Sequence, residues 1–186
     1  ESEIPNFDTS EFLVLTEGKE GYLFPDTYYF FPSVTAVRVV ETLESNFERR
    51  VGPLGEAIES SGHTLEEIII MASIIEREAK GEEDRHMVSG ILWERLRLGH
   101  LLQVDAPFLF LLGKKSSELT LTDLAIDSPY NTYRYKGLPP GPIGNPGIEA
   151  IEAALEPEES PYLFYLHDDR GTIYYARNFE EHKENK

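Results

Sequence analysis

The chain has 186 residues, 40% hydrophobic and 27% charged, with a formal net charge of -17 and no cysteine, the make-up of one ordinary globular domain. The acidic balance argues against DNA or RNA as the main partner, because binding phosphate requires concentrated Lys and Arg, and no apolar run approaches the roughly 20 residues that span a bilayer. Without cysteine there is no disulfide framework, thiol nucleophile or cysteine-metal site, which fits an exported or a cytosolic protein.

The opening "ESEIPNFDTS" has neither the basic region nor the apolar core of a signal peptide, so it reads as the start of an excised portion of something longer. "EFLVLTEG" predicts a strand. The aromatic stretch "EGYLFPDTYYFFPS", broken by Pro25 and Pro32, supplies either core residues or a groove lining, and residues 1–33 read as a lead-in to the same domain. Val37, Val40, Leu43 and Phe47 then recur at helical spacing and predict an amphipathic helix from Thr35 to about Arg50. Thr64 followed by Glu67 is a capping-box pattern, so a helix should run from about Leu65 to Lys80 and end at Gly81. A second helix, about Glu83 to Leu98, completes a helical hairpin and stops at Gly99.

After a short helical patch at Leu121 to Ala125 comes "DSPYNTYRYKGLPPGPIGNPG". Its prolines remove donors and fix φ, so it must be a shaped loop. Gly147 to Leu155 reads as a helix, "YLFYLHDDRGTIYYAR" as a hairpin turning at Asp168 to Gly171, and the polar tail as frayed. The whole predicts a single α+β domain over residues 1–186.

Few chemistries are open to these residues. The five histidines have no HxxxH or HxH spacing and no accompanying carboxylate cluster, so no metal is expected. GxSxG, P-loop and GxGxxG signatures are absent, leaving no cofactor to expect. Carboxylate chemistry remains. On the helix that starts near Leu65, Glu78 aligns with Met71, Ile74 and Ile75, whereas Glu76 stacks with Ala72 and Ile69. A carboxyl half-buried against apolar side chains has its charged form disfavoured and can hold a proton near neutral pH. Glu78 is thus a candidate general acid, although the same string also reads as the solvated last turn of a helix.

The segments "EGYLFPDTYYF", "MASIIEREA", "ILWERLRLGHLLQVD", "SPYNTYRYKGLPPGPIGNPG" and "AALEPEESPYLFYL" resemble, in order and spacing, the motif set of the endolytic murein transglycosylases, the MltG or YceG-like family. The resemblance covers about Glu20 to His182. It implies a lysozyme-like helical catalytic core with small β elements, a single catalytic glutamate at Glu78, and Glu76 in support. It also assigns Gln103 and Asp105, with Tyr130, Asn131, Thr132 and Tyr133, to the glycan groove or its supports, and the Pro/Gly-rich GLPP loop to the groove wall. Two places depart from the pattern: "LQVDAP" has Val104, Ala106 and Pro107 where LQ(S/T)DPT is usual, and Tyr174 stands where histidine is common.

By the same resemblance the activity is cleavage of murein glycan strands after N-acetylmuramic acid, leaving a 1,6-anhydro end. One carboxyl suffices for that reaction, whereas hydrolytic glycosidases use two. The implied partners are peptidoglycan strands and cell-wall synthesis enzymes. The implied setting is the bacterial cytoplasmic membrane, reached through a single-pass N-terminal anchor that precedes this segment, as would a LysM-like region. A muramidase-type hydrolase using Asp105 or Glu76 as second carboxylate, and a non-catalytic cell-wall binding or scaffold module, are the competing readings.

Overall fold

The computed structural model describes residue 4 and residues 7–168 and 171–185. Its helices are α1 Thr9–Thr16, α2 Ala36–Val51, α3 Gly55–Ser61, α4 Leu65–Glu78, α5 Glu82–Arg97, α6 Ala106–Leu112, α7 Leu121–Leu124, α8 Ile148–Leu155 and α9 Phe179–Glu184. Short 3-10 turns at Gly52–Leu54 and Ser116–Glu118 complete the helical part, and strands β1 Phe164–His167 and β2 Ile173–Ala176 form an antiparallel pair. The fold is α+β, as the sequence predicts.

Helix α4 forms the centre. Its first turn is fixed by the expected reciprocal cap: the Glu67 amide donates to the Thr64 hydroxyl at 3.2 Å, and the Thr64 amide donates to the Glu67 carboxylate at 2.8 Å. Every residue from Ile68 to Ile75 is buried, so the helix is enclosed on all sides rather than lying on a surface. Each fully buried isoleucine there contributes about 1.5–3 kcal/mol. Helices α8 and α5 pack on it, α8 through the small residues Ala150, Ala153 and Ala154, which allow a close approach. The Ser73 hydroxyl accepts the Ile143 amide at 3.0 Å and so pins the proline-rich loop to the same helix.

Two boundaries differ from expectation in ways that matter for the site. α4 stops at Glu78 because Ala79 turns extended (φ -142°, ψ 148°), and Gly81 is the N-cap of α5 rather than the end of α4. Glu78 is therefore the last helical residue. At the other end of the chain, "EFLVLTEG" is not a strand but most of α1: the Asp8 carboxylate accepts the Glu11 amide at 2.9 Å and caps a helix. The helix packs on α2, and among the described residues no strand lies beside it.

The aromatic lead-in has no regular secondary structure. Asn145 holds it in place, its side-chain oxygen accepting the amides of Gly21 and Leu23 at 2.9 and 3.0 Å. Gly21 has φ 92°, and a Cβ there would come within 2.5 Å of Pro142 and 2.7 Å of Ile69, so only glycine fits. Phe24 is buried while Tyr29 and Phe31 lie at the surface. The hairpin pairs Tyr165 with Tyr175; Asp169 and Arg170 of its expected turn lie outside the described residues. The tail is helical up to Glu184, capped by Asn178, which accepts the Glu181 amide at 3.0 Å.

Candidate active site

The end of α4, the start of α6 and strand β1 converge on one cleft of about 900 Å³ whose lining includes Glu78, Asp105, Ala106 and Tyr165. Glu78 opens on it with part of its surface, while protein surrounds the rest of the carboxyl. Burial is the main cause that pushes its pKa up, from 4.5 to about 7, and the negative charge of Asp105 adds to this. Two donors act the other way: the Tyr165 hydroxyl, at 2.9 Å from Oε2, and the Ala106 amide. The position of Glu78 at the C-terminal end of a helix further disfavours a negative charge.

Tyr165 reaches Glu78 because strand alternation turns it, together with His167, to one face of β1; their rings meet edge-on at 5.9 Å. Burial and the neighbouring Glu78 raise the Tyr165 pKa well above 10, so it remains a neutral donor. Asp105 is the N-cap residue of α6, yet its side chain makes no cap bond. Its Oδ1 instead accepts the Tyr133 hydroxyl at 2.7 Å, and burial with that bond raises the Tyr133 pKa.

The departure at "LQVDAP" is compatible with this geometry. Pro107 falls in the first turn of α6, where a missing amide hydrogen leaves nothing unpaired. Val104 is buried and its backbone is bound both ways by the Thr132 hydroxyl, which accepts the Val104 amide at 3.2 Å and donates to its carbonyl at 2.8 Å. The Gln103 amide donates to the Thr132 carbonyl at 3.1 Å, and Gln103 itself takes a left-handed backbone, φ 54°. Its side chain accepts from Arg95, a buried guanidinium that also donates to the carbonyls of Leu101 and Leu163. Arg95, Gln103, Tyr133 and Tyr165 line a smaller hollow of about 430 Å³ that shares Tyr165 with the main cleft.

Of the residues assigned from sequence, Glu78, Asp105, Tyr133 and Gln103 thus come together. Glu76 lies on the same cleft but in a different setting: its Oε2 accepts the Gly147 amide at 3.1 Å, and Arg85 stands 3.9 Å from its Oε1. Asn131, assigned by the resemblance to the groove or its supports, is fully buried, and its amide group donates to the carbonyls of Leu124 and Ile126 while its oxygen accepts the Tyr133 amide. It shapes the loop that delivers Tyr133. Thr132 is likewise a buried support, and Tyr130 packs on Phe110 with ring centroids 5.2 Å apart. The GLPP segment does not wall the Glu78 cleft. Leu138, Pro139 and Pro140 border a separate cleft of about 1010 Å³, where His63 stacks on Trp93 at 3.8 Å. That cleft is larger, but the capping amide of Thr64 pulls its Glu67 carboxyl down in pKa, which keeps it charged rather than able to donate a proton.

The sequence reading missed Tyr165, Arg95 and the Ala106 amide. Tyr165 carried a usable signal, since a hairpin strand of period two commits alternate residues to one face. Arg95 on α5 and the Ala106 amide carried none that is local.

The YceG-like family model matches residues 2–186. The chain belongs to the YceG-like family. It is 35% identical over 168 residues to an endolytic murein transglycosylase of Bacillus subtilis, covering 90% of this chain and 47% of that protein. It is 34% identical over 172 residues to an endolytic murein transglycosylase of Streptococcus pneumoniae serotype 2, covering 89% of this chain and 31% of the relative. The chain therefore spans between about a third and a half of the curated relatives it matches. A crystal structure of a yceG-like protein from Listeria monocytogenes superposes with a TM-score of 0.83 at 38% identity, over 89% of this chain and 55% of that one. Among the described residues no helix is long and apolar enough to cross a membrane.

Proposed function

We propose that this segment is the catalytic part of an endolytic murein transglycosylase, with Glu78 as its single acid-base group. The observation that carries the reading is a partly buried carboxyl with its pKa at about 7, opening on a cleft and held by a neutral tyrosine. In the reaction, Glu78 gives its proton to the glycosidic oxygen between N-acetylmuramic acid and N-acetylglucosamine as the bond from that oxygen to the anomeric carbon breaks. The 6-hydroxyl oxygen of the muramic acid closes on the anomeric carbon, and its proton passes to the Glu78 carboxylate. The acid is thereby regenerated, no water is consumed, and the product ends in 1,6-anhydromuramic acid. Asp105, held by Tyr133, supplies negative charge near the sugar carbon that becomes electron-poor.

One observation favours a second reading. Asp105 lies near enough to raise the Glu78 pKa, so it could instead activate a water, which would make the protein a muramidase-type hydrolase. Mass spectrometry of digested murein separates the outcomes. Anhydro ends support the transglycosylase, reducing ends support the hydrolase, and absence of cleavage supports a binding or scaffold module. A murein substrate would place the segment outside the cytoplasm, and a single-pass anchor in the cytoplasmic membrane and work alongside cell-wall synthesis enzymes belong to the same proposal.

A further inference from the structure

The Glu78 cleft carries cations that the reaction above does not use. Arg77 and Lys80, on either side of Glu78 in sequence, line it together with Lys114 and Lys115, which follow α6. Lys114 is bound to Asp123 at 2.7 Å. Arg77, Lys80 and Lys115 are exposed, and none is ion-paired among the described residues. In a chain with 34 acidic residues against 17 basic ones, many cations sit against a carboxylate, as Lys19, Arg50, Arg97 and Lys183 do. These three lie on one cleft, exposed and unpaired beside the less exposed carboxyls of Glu76, Glu78, Asp84 and Asp105.

An exposed charge acts over about 8 Å at physiological ionic strength. The acidic surface at large is therefore screened from a ligand in the cleft, while the rim is not. A strand entering there meets exposed Arg77, Lys80 and Lys115, with Glu76, Asp84 and Asp105 less exposed on the same cleft.

We propose that Lys80, Lys115 and Arg77 form a carboxylate-reading subsite, so that the enzyme selects glycan carrying free carboxylates beside the cleaved bond. The inference rests on the murein reading above. Two sources of that group exist on murein: the lactyl carboxylate of muramic acid stripped of its peptide, and the carboxylates of the stem peptide where it is attached. Neutral N-acetylglucosamine oligomers have neither.

Binding by the Glu78→Gln protein tests the subsite without requiring turnover. Four probes are compared: N-acetylglucosamine oligomers, peptide-free murein strands, peptide-bearing strands, and peptide-bearing strands with their carboxylates converted to amides. The proposal expects carboxylate-bearing strands to bind about 3- to 10-fold more tightly than the amidated or neutral ones, with the preference fading as salt rises. A gain already present in peptide-free strands assigns the lactyl group, and a gain only with peptide assigns the peptide. Lys80→Gln with Lys115→Gln, and separately Lys115→Glu, should collapse the preference toward one. Equal binding of free and amidated strands, or a preference that survives both variants, overturns the subsite. A wild-type protein that cleaves no strand overturns the activity reading and leaves the binding result to decide the subsite.

Discussion

The Tyr165 hydroxyl donates to the Glu78 carboxyl at 2.9 Å from a buried position on strand β1. This bond favours the charged form of Glu78, against the burial that disfavours it. In the free enzyme the protonated acid should fall away as pH rises through about 7, so kcat/KM should decline above that pH. Tyr165→Phe removes the bond but keeps the ring. The alkaline limb of the pH profile should then move to higher pH by roughly one unit, which pH-dependent kinetics on isolated glycan strands would read directly.

Asp105 acts on the same carboxyl in the opposite sense, because its negative charge raises the Glu78 pKa. Asp105→Asn preserves shape and an acceptor for Tyr133 while removing the charge. The alkaline limb should move to lower pH, and kcat should fall because charge near the reacting sugar is lost, by about 10-fold or more. A limb that moves the same way in Asp105→Asn and Tyr165→Phe would contradict this assignment.

Stability carries the same signature. Folding raises the Glu78 pKa from 4.5 to about 7, so the fold favours the neutral form. The stability it contributes is full below about 4.5 and is lost as pH rises through about 7. Glu78→Gln is neutral throughout. Denaturant titrations should show little difference from wild type at low pH and a variant more stable by about 1–3 kcal/mol above neutrality.

Asn131 makes a prediction of a different kind. Asn131→Ala would strip partners from the Leu124 and Ile126 carbonyls and from the Tyr133 amide inside the fold. Loss of about 2–4 kcal/mol follows from leaving such groups unpaired, measurable as a lower denaturation midpoint.

Asn131 also marks the limit of what the sequence discloses. The resemblance assigns it to the groove or its supports without choosing between them, and only the burial of its loop shows its amide to be occupied by backbone. The GLPP segment was placed on the wrong cleft for a related reason. Irregular chain has no periodicity from which to infer a face, and its path is set by distant anchors such as Ser73 to Ile143 and Asn145 to Gly21. By contrast, α4 was legible to its first residue, because the Thr64–Glu67 cap is a local hydrogen-bond pattern and the apolar run demands burial. Its last turn was not, since Ala79 leaves the helix with no proline or glycine at that position to signal it. The face argument still placed Glu78 beside buried Met71, Ile74 and Ile75, and the tyrosine that completes its surroundings came from a strand 87 residues away in sequence.

The most direct test compares Glu78→Gln with Glu76→Gln for cleavage of murein glycan strands. Glutamine keeps the shape and most hydrogen bonds of either side chain and removes the transferable proton. Glu76 is engaged by the Gly147 amide and stands near Arg85, whereas Glu78 is the carboxyl with its pKa raised to about 7. The account predicts that Glu78→Gln lowers kcat/KM by at least about 100-fold with the fold intact, and that Glu76→Gln costs clearly less. Abolished cleavage in Glu76→Gln with cleavage retained in Glu78→Gln would contradict it and move the catalytic role two residues back along α4.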